Sequence, residues 1–115
     1  MKRLVTILLL FSLLITTSGQ QDLKQRLETT TNDTLRLKLL GDLTFSYVET
    51  NSDSAYYYGE QTTTLGRKLG YRLSEAFAMN LMGYALMNKG NYPRALQVLL
   101  MAFQIANDLT GLAEG

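Results

Sequence analysis

Histidine and cysteine are absent from this 115-residue chain, and proline occurs once. Their absence excludes a Cys/His zinc site, a Cys–His or Ser–His nucleophilic pair, and a phosphoaccepting histidine. It also excludes disulfides and a lipid-attachment cysteine. Charge is sparse: 18% of residues are charged and the formal net charge is +1. Lys2 and Arg3 stand at the extreme N-terminus, and the remainder holds nine basic against ten acidic residues, a net of −1. Binding to duplex nucleic acid needs a basic face, so nucleic acid is not an expected partner. Nothing in the composition calls for a cofactor. Strand-like alternation is missing too, the β-branched residues being scattered.

What is present begins with a three-part start. Met1-Lys2-Arg3 leads into twelve mostly apolar residues, Leu4 to Ile15, and then into Thr16-Thr17-Ser18-Gly19. A positive start, an apolar run and a small-residue exit form the pattern of a secretory signal, with cleavage expected after Gly19. About 20 apolar residues are needed to span a bilayer as a helix, so the run is short for a membrane span. The expected location is exported, periplasmic or extracytoplasmic, with membrane contact only through the leader if it stays uncleaved. The other reading of 1–19 is a retained amphipathic or buried helix, against which stands the lack of a polar face: only Thr6 and Ser12 are polar.

From Gln20 onward the pattern is helical. Leu23 and Leu27 mark a short helix within 20–31, which the polar cluster Thr29 to Asp33 breaks. Asn32 or Asp33 can cap the next helix, whose apolar stripe is Leu35, Leu39, Leu43 and Val48, flanked by Leu40 and Tyr47. Asn51-Ser52-Asp53-Ser54 is a second cap-and-turn cluster. It opens a helix from about Ser54 to Leu69, which Gly70 terminates. A third helix runs from about Arg72 to Asn88. After the turn Lys89-Gly90-Asn91-Tyr92, Pro93 suits the first turn of a fourth, ending near Leu109. The expected fold is all-α, with hairpins at 32–70 and 71–109 and a tail at 110–115.

Two hairpins in succession raise the question of a repeat. In the second, Met79-x2-Met82-Gly83-x2-Leu86 is followed by Gly90-Asn91-Tyr92 and Ala95-x3-Leu99-x2-Ala102, with Asn107 closing. This resembles the tetratricopeptide (TPR) motif across Ala76 to Leu109, including the twelve-residue spacing from Gly83 to Ala95. Departures are Met79 for the usual Trp, Leu86 for Tyr, Leu99 for an aromatic and Asn107 for the terminal Pro. The resemblance implies antiparallel hairpins stacked as a short TPR-like solenoid. Gly83 would let paired helices approach, and Ala95 and Ala102 would accept Met79 and Leu86, since alternating small and large side chains mesh closely. The first hairpin is a looser relative: Leu40-Gly41 stands for its first helix and Ala55-x3-Gly59-x2-Thr62 for its second, with an enlarged turn expected around Asn51. The arrangement as a whole resembles the extracytoplasmic start of certain bacterial sensor histidine kinases and repeat-bearing regulators. That resemblance implies a non-enzymatic adaptor or sensory module that binds a protein or peptide.

In such hairpins the first helices line the partner-binding face, which projects onto Phe77, Asn80, Tyr84 and Met87. These recur on the side of their helix away from Met79, Met82 and Gly83; the competing reading has Phe77 and Tyr84 packing on the preceding helix. Tyr56-Tyr57-Tyr58 point in three directions about 100° apart, so they form no single cage; one or two should reach the core. Asn32-Asp33-Thr34 matches a glycosylation acceptor but serves better as a helix cap. The carboxylates Asp42, Glu49, Asp53, Glu60 and Glu75 are spread out. Only Glu49 and Asp53 lie four apart, across a polar turn that lacks the apolar surround acid–base catalysis wants.

The last helix is apolar on every side. Between Ala95 and Ala106 only Gln97 and Gln104 are polar. An outermost solenoid helix should carry a polar outer face. Either the chain is the front of a longer repeat array, or this helix is buried in a homodimer.

Overall fold

The computed structural model describes residues 2–111, with side chains described for residues 2–7 and 19–111. Those residues form α1 (Lys2–Thr29), α2 (Asp33–Tyr47), α3 (Ser52–Leu69), α4 (Arg72–Asn88) and α5 (Tyr92–Thr110). No strand occurs among them. Each helix packs against its neighbour in the chain, and α2 also touches α4, so the two hairpins α2–α3 and α4–α5 stack with α1 on the outer side of α2.

The helix ends follow from the residues placed there. Three asparagines cap three helices: Asn32 Oδ1 accepts from the Leu35 amide at 3.0 Å, Asn51 Oδ1 from Ser54 at 3.1 Å, and Asn91 Oδ1 from Arg94 at 3.4 Å. Each satisfies one of the amides a first turn leaves unpaired. The turns α3–α4 and α4–α5 are built alike. Gly70 and Gly90 adopt φ of 78° and 81°. Tyr71 N–H reaches back to Gly66 O, and Asn91 N–H to Leu86 O, which is the Schellman closure that a left-handed glycine permits.

Two clusters make the core. Ala76, Met79, Met82, Leu86, Ala95, Val98, Ala102 and Ile105 pack between α4 and α5, with Tyr56 of α3 against them. Leu43, Tyr47, Val48, Ala55 and Ala85 form the second, joined by Leu23 and Leu27 of α1 and by Tyr58 and Leu81. The α2–α3 seam carries a buried polar pair: Thr44 Oγ1 and Thr62 Oγ1 lie 3.3 Å apart, and each hydroxyl also bonds the carbonyl four residues back. A threonine placed this way satisfies itself without a partner helix, which is why both can be buried.

One helix, Lys2–Thr29, runs through the leader expected at 1–19 and the short helix expected within 20–31, so the latter is not a separate element; cleavage after Gly19 stands untouched by this. Gly19 is not in the left-handed conformation, and glycine inside a helix weakens it by about 1 kcal/mol without ending it. The apolar run lies largely outside the residues whose side chains are described, although Leu4, Val5 and Ile7 are exposed. Among the described residues, no helix is long and apolar enough to cross a membrane. The stripe of α2 also shifts: Leu35 is exposed, while Leu37 is buried beside Leu39, Leu40 and Leu43. In the tail expected at 110–115, Thr110 closes α5, and residues 112–115 lie outside the described set.

Candidate functional site: the groove between the first helices

Because α2 and α4 are the first helices of successive hairpins, their outward faces lie side by side. On α4, Leu73, Phe77, Asn80, Tyr84 and Met87 fall within about 80° of arc, and all five are exposed. Met79, Met82, Gly83 and Leu86 occupy the buried side of the same helix. Phe77 and Tyr84 are 50% and 41% exposed. On α2, Thr34, Lys38, Asp42 and Phe45 share a similar arc and are likewise exposed, with Glu49 following in the turn.

Between these stripes runs a groove of about 730 Å³, lined by Thr34, Leu37, Lys38, Gly41 and Asp42 from α2, Thr62 from α3, and Tyr71, Leu73, Ser74 and Phe77 from α4. Most of its wall is apolar. Lys38 and Asp42 pair along α2 at 3.3 Å and supply its charged rim. Of the four residues projected as a binding face, Phe77 lines the groove itself. Asn80, Tyr84 and Met87 continue the same stripe toward the C-terminal end of α4. There the neighbouring Glu49 carboxylate pushes the Tyr84 pKa up. On α2, Phe45 is exposed as well.

The packing residues hold this face in position. Met79, Met82, Leu86, Ala95 and Ala102 share one core cluster. A Cβ on Gly83 would stand 2.6 Å from both Cγ and Cδ2 of Leu99, so α4 and α5 touch there only because the side chain is missing. Gly41 has no such role: a Cβ there would meet nothing nearer than the Thr62 methyl, at 3.9 Å. Its alignment with Gly83 is corrected by this geometry. The glycine that matters in the first hairpin is Gly59, whose missing Cβ makes room for the Met82 side chain of the next hairpin. Gly66 acts similarly, letting the start of α4 approach, with Tyr71 O at 3.3 Å from where its Cβ would be.

The three tyrosines divide as expected from helical geometry: Tyr56 leans on one core cluster, Tyr58 on the other, and Tyr57 is exposed. Tyr58 stacks on Tyr47 at 5.9 Å, and Lys24 of α1 lies over the Tyr47 ring. Among the carboxylates, Glu75 is buried, a placement its sequence context did not announce. Arg67 Nε and Nη2 both donate to its Oε1 at 2.9 Å, tying the end of α3 to the start of α4. Asp53 pairs with Lys89 across the hairpins. Among the described residues, no group of His, Cys, Asp or Glu could hold a metal ion.

Residues 20–103 match the family described as the SusR N-terminal TPR domain. The chain belongs to that family. The match begins within α1, after the apolar run, and ends within α5, taking in both hairpins and the groove between their first helices. No curated protein and no solved structure matches the chain. TPR domains are in general non-catalytic modules for protein–protein interaction, and the helical stack described above is of that kind.

Proposed function

We propose that this TPR domain is the exported, sensory or adaptor part of a bacterial signalling protein, and that it holds a peptide segment of its partner in the groove between α2 and α4. The observation that carries the reading is the exposed stripe Phe77, Asn80, Tyr84 and Met87 beside an apolar groove lined by both first helices. A monomer rarely leaves a contiguous apolar face of this kind without a binding role. Asn80 offers a donor and an acceptor to a peptide amide. Phe77 and Tyr84 add rigid aromatic walls, Tyr84 with a polar tip. Export is supported by the three-part N-terminus and by the exposure of Leu4, Val5 and Ile7. The family's description as an N-terminal domain agrees with a place at the front of a longer signalling chain.

The test is capture from periplasmic extract by the immobilised full-length chain. The triple variant Phe77→Ala/Asn80→Ala/Tyr84→Ala is compared with a control altered on α5, Leu96→Ala/Leu100→Ala. Loss of a captured protein with the triple variant, and its retention with the control, is the expected result. Unchanged capture by the triple variant would remove this face from the proposal.

A further inference from the structure

Two features of the groove between α2 and α4 specify the chemistry of what it would hold. The first is an apolar socket. Gly41 lies in the α2 wall, and a Cβ there would meet nothing nearer than the Thr62 methyl, at 3.9 Å. Packing gives no reason for this glycine, although glycine is a poor helix former. What its missing side chain leaves is room, walled by Leu37, Leu73 and Phe77 with Thr62 of α3 behind. The charges beside that room cancel, Lys38 Nζ lying 3.3 Å from Asp42 Oδ2. The socket therefore suits a large apolar side chain.

The second feature is a negative charge left unbalanced at one end. Because α3 reverses the chain between them, α2 and α4 run parallel, and their C-terminal ends, which carry partial negative charge, point the same way. Asn88 Nδ2 donates to Val48 O at 3.2 Å and joins those ends. Neither helix has a basic residue in its last turn. Glu49 follows Val48, exposed and beside Tyr84, and among the described residues it is in no ion pair. Lys89, just beyond α4, is held by Asp53 of α3 instead. A carboxylate beside an exposed aromatic ring attracts a cation by its charge and through the ring face, while the ring supports the aliphatic stem of a lysine or arginine.

Resting on the peptide-holding role proposed for the groove, we infer that the partner segment is extended and basic: a large apolar side chain sits over Gly41, and a lysine or arginine four positions away sits against Glu49. The spacing follows from the distance between the two features. Eight positions separate Gly41 from Glu49, about 12 Å along a helix. An extended chain covers about 13 Å in four residues, and an even spacing keeps both side chains on one face. An acidic residue in the second place would meet Glu49 and two negative helix ends, so the charge selects against acidic segments.

The full-length chain, immobilised in non-ionic detergent, is used to select from a phage-displayed library of random dodecapeptides, and the most enriched peptide is synthesised for titration. Enriched sequences should share a large apolar residue with Lys or Arg four positions away. Glu49→Gln should weaken the titrated peptide about threefold to fivefold at low salt, the value of one exposed charge pair, and high salt should erase the difference. Selection repeated on Glu49→Lys should put Asp or Glu in place of the cation at the same spacing. Gly41→Leu adds a good helix former and fills the socket, so it should abolish binding with an unchanged helical spectrum. Peptides that need Phe77, Asn80 and Tyr84 but carry an acidic residue or no charge at that spacing overturn this inference and leave the groove a peptide site. Groove-dependent binding that survives Gly41→Leu does the same. If no selected peptide depends on Phe77, Asn80 and Tyr84, the groove itself is not the site, and this inference falls with that reading.

Discussion

Replacing Gly83 by alanine tests the contact between α4 and α5 directly, because two effects of opposite sign meet at that atom. In an unobstructed helix interior, glycine to alanine stabilises by about 0.8–1 kcal/mol. At Gly83 the new methyl would lie 2.6 Å from Leu99 Cγ and Cδ2, well inside van der Waals contact. The branch carbon of Leu99 is among the overlapping atoms, so a flip of the side-chain tip does not relieve it; the leucine or the helix must move. Forcing extra carbon into a packed seam costs about 1–3 kcal/mol. The balance is a net destabilisation of about 1 kcal/mol, or roughly 4–8 °C in a domain of this size.

The Leu99→Ala background isolates the cause. Leu99→Ala itself should destabilise by about 2 kcal/mol as a partly buried truncation. With the leucine gone, Gly83→Ala should become stabilising by about 0.8 kcal/mol, its intrinsic helix preference. The cycle therefore has a coupling of about 2 kcal/mol, measurable by urea unfolding of the full-length chain followed by circular dichroism. Should Gly83→Ala stabilise both backgrounds equally, Leu99 would not press on Gly83, and the account of how these hairpins close would fail.

Gly41→Ala is the complementary case: with 3.9 Å of room, it should stabilise by about 0.5–1 kcal/mol in the same urea assay. Arg67→Ala removes the partner of the buried Glu75 carboxylate and should destabilise by about 1–2 kcal/mol, reduced because the arginine side chain is 60% exposed and partly screened. Arg67→Lys, which replaces the two-nitrogen contact with a point charge, should recover only part of that loss. Alkaline pH should weaken the docking of α1. Burial raises the Tyr58 pKa above 10.0, and the Tyr47 side chain beneath it raises that of Lys24 above 10.5. A raised folded pKa gives stability that is complete below the unfolded value and fades as pH climbs through the folded one. Thermal melts should therefore fall above about pH 10, and less steeply in Tyr58→Phe.

Helix ends were legible because each is decided by one or two residues acting locally. Asn32, Asn51 and Asn91 accept from amides three positions on, and Gly70 takes a backbone region other residues avoid. The pairing of small and large residues in the second hairpin was legible for a similar reason: a glycine inside an otherwise good helix implies a neighbour that needs the space. The same reasoning failed at Gly41, where the glycine has no close neighbour, and underrated Gly59, whose neighbour is Met82 in the following hairpin. Spacing within one hairpin carries no information about contacts between hairpins. The buried position of Glu75 was hidden in the same way, since it depends on Arg67 arriving from another helix.

The exposed faces were the hardest part to read, and the reason is the repeat itself. Every helix of a stack presents apolar residues to a partner helix in the same hairpin and to another in the next, so its sequence is apolar on more than one side whether or not both neighbours are present. Leu73 and Leu43 are the same residue type in similar helical contexts, yet one is 74% exposed and the other fully buried. What separates them is the position of α2 relative to α4, which brings Leu43 into the core and leaves Leu73 on the groove wall. The same distinction governs α5. Its apolar outer face is ordinary for a helix with neighbours on both sides. The groove is thus a consequence of the architecture: it is open because first helices line up side by side.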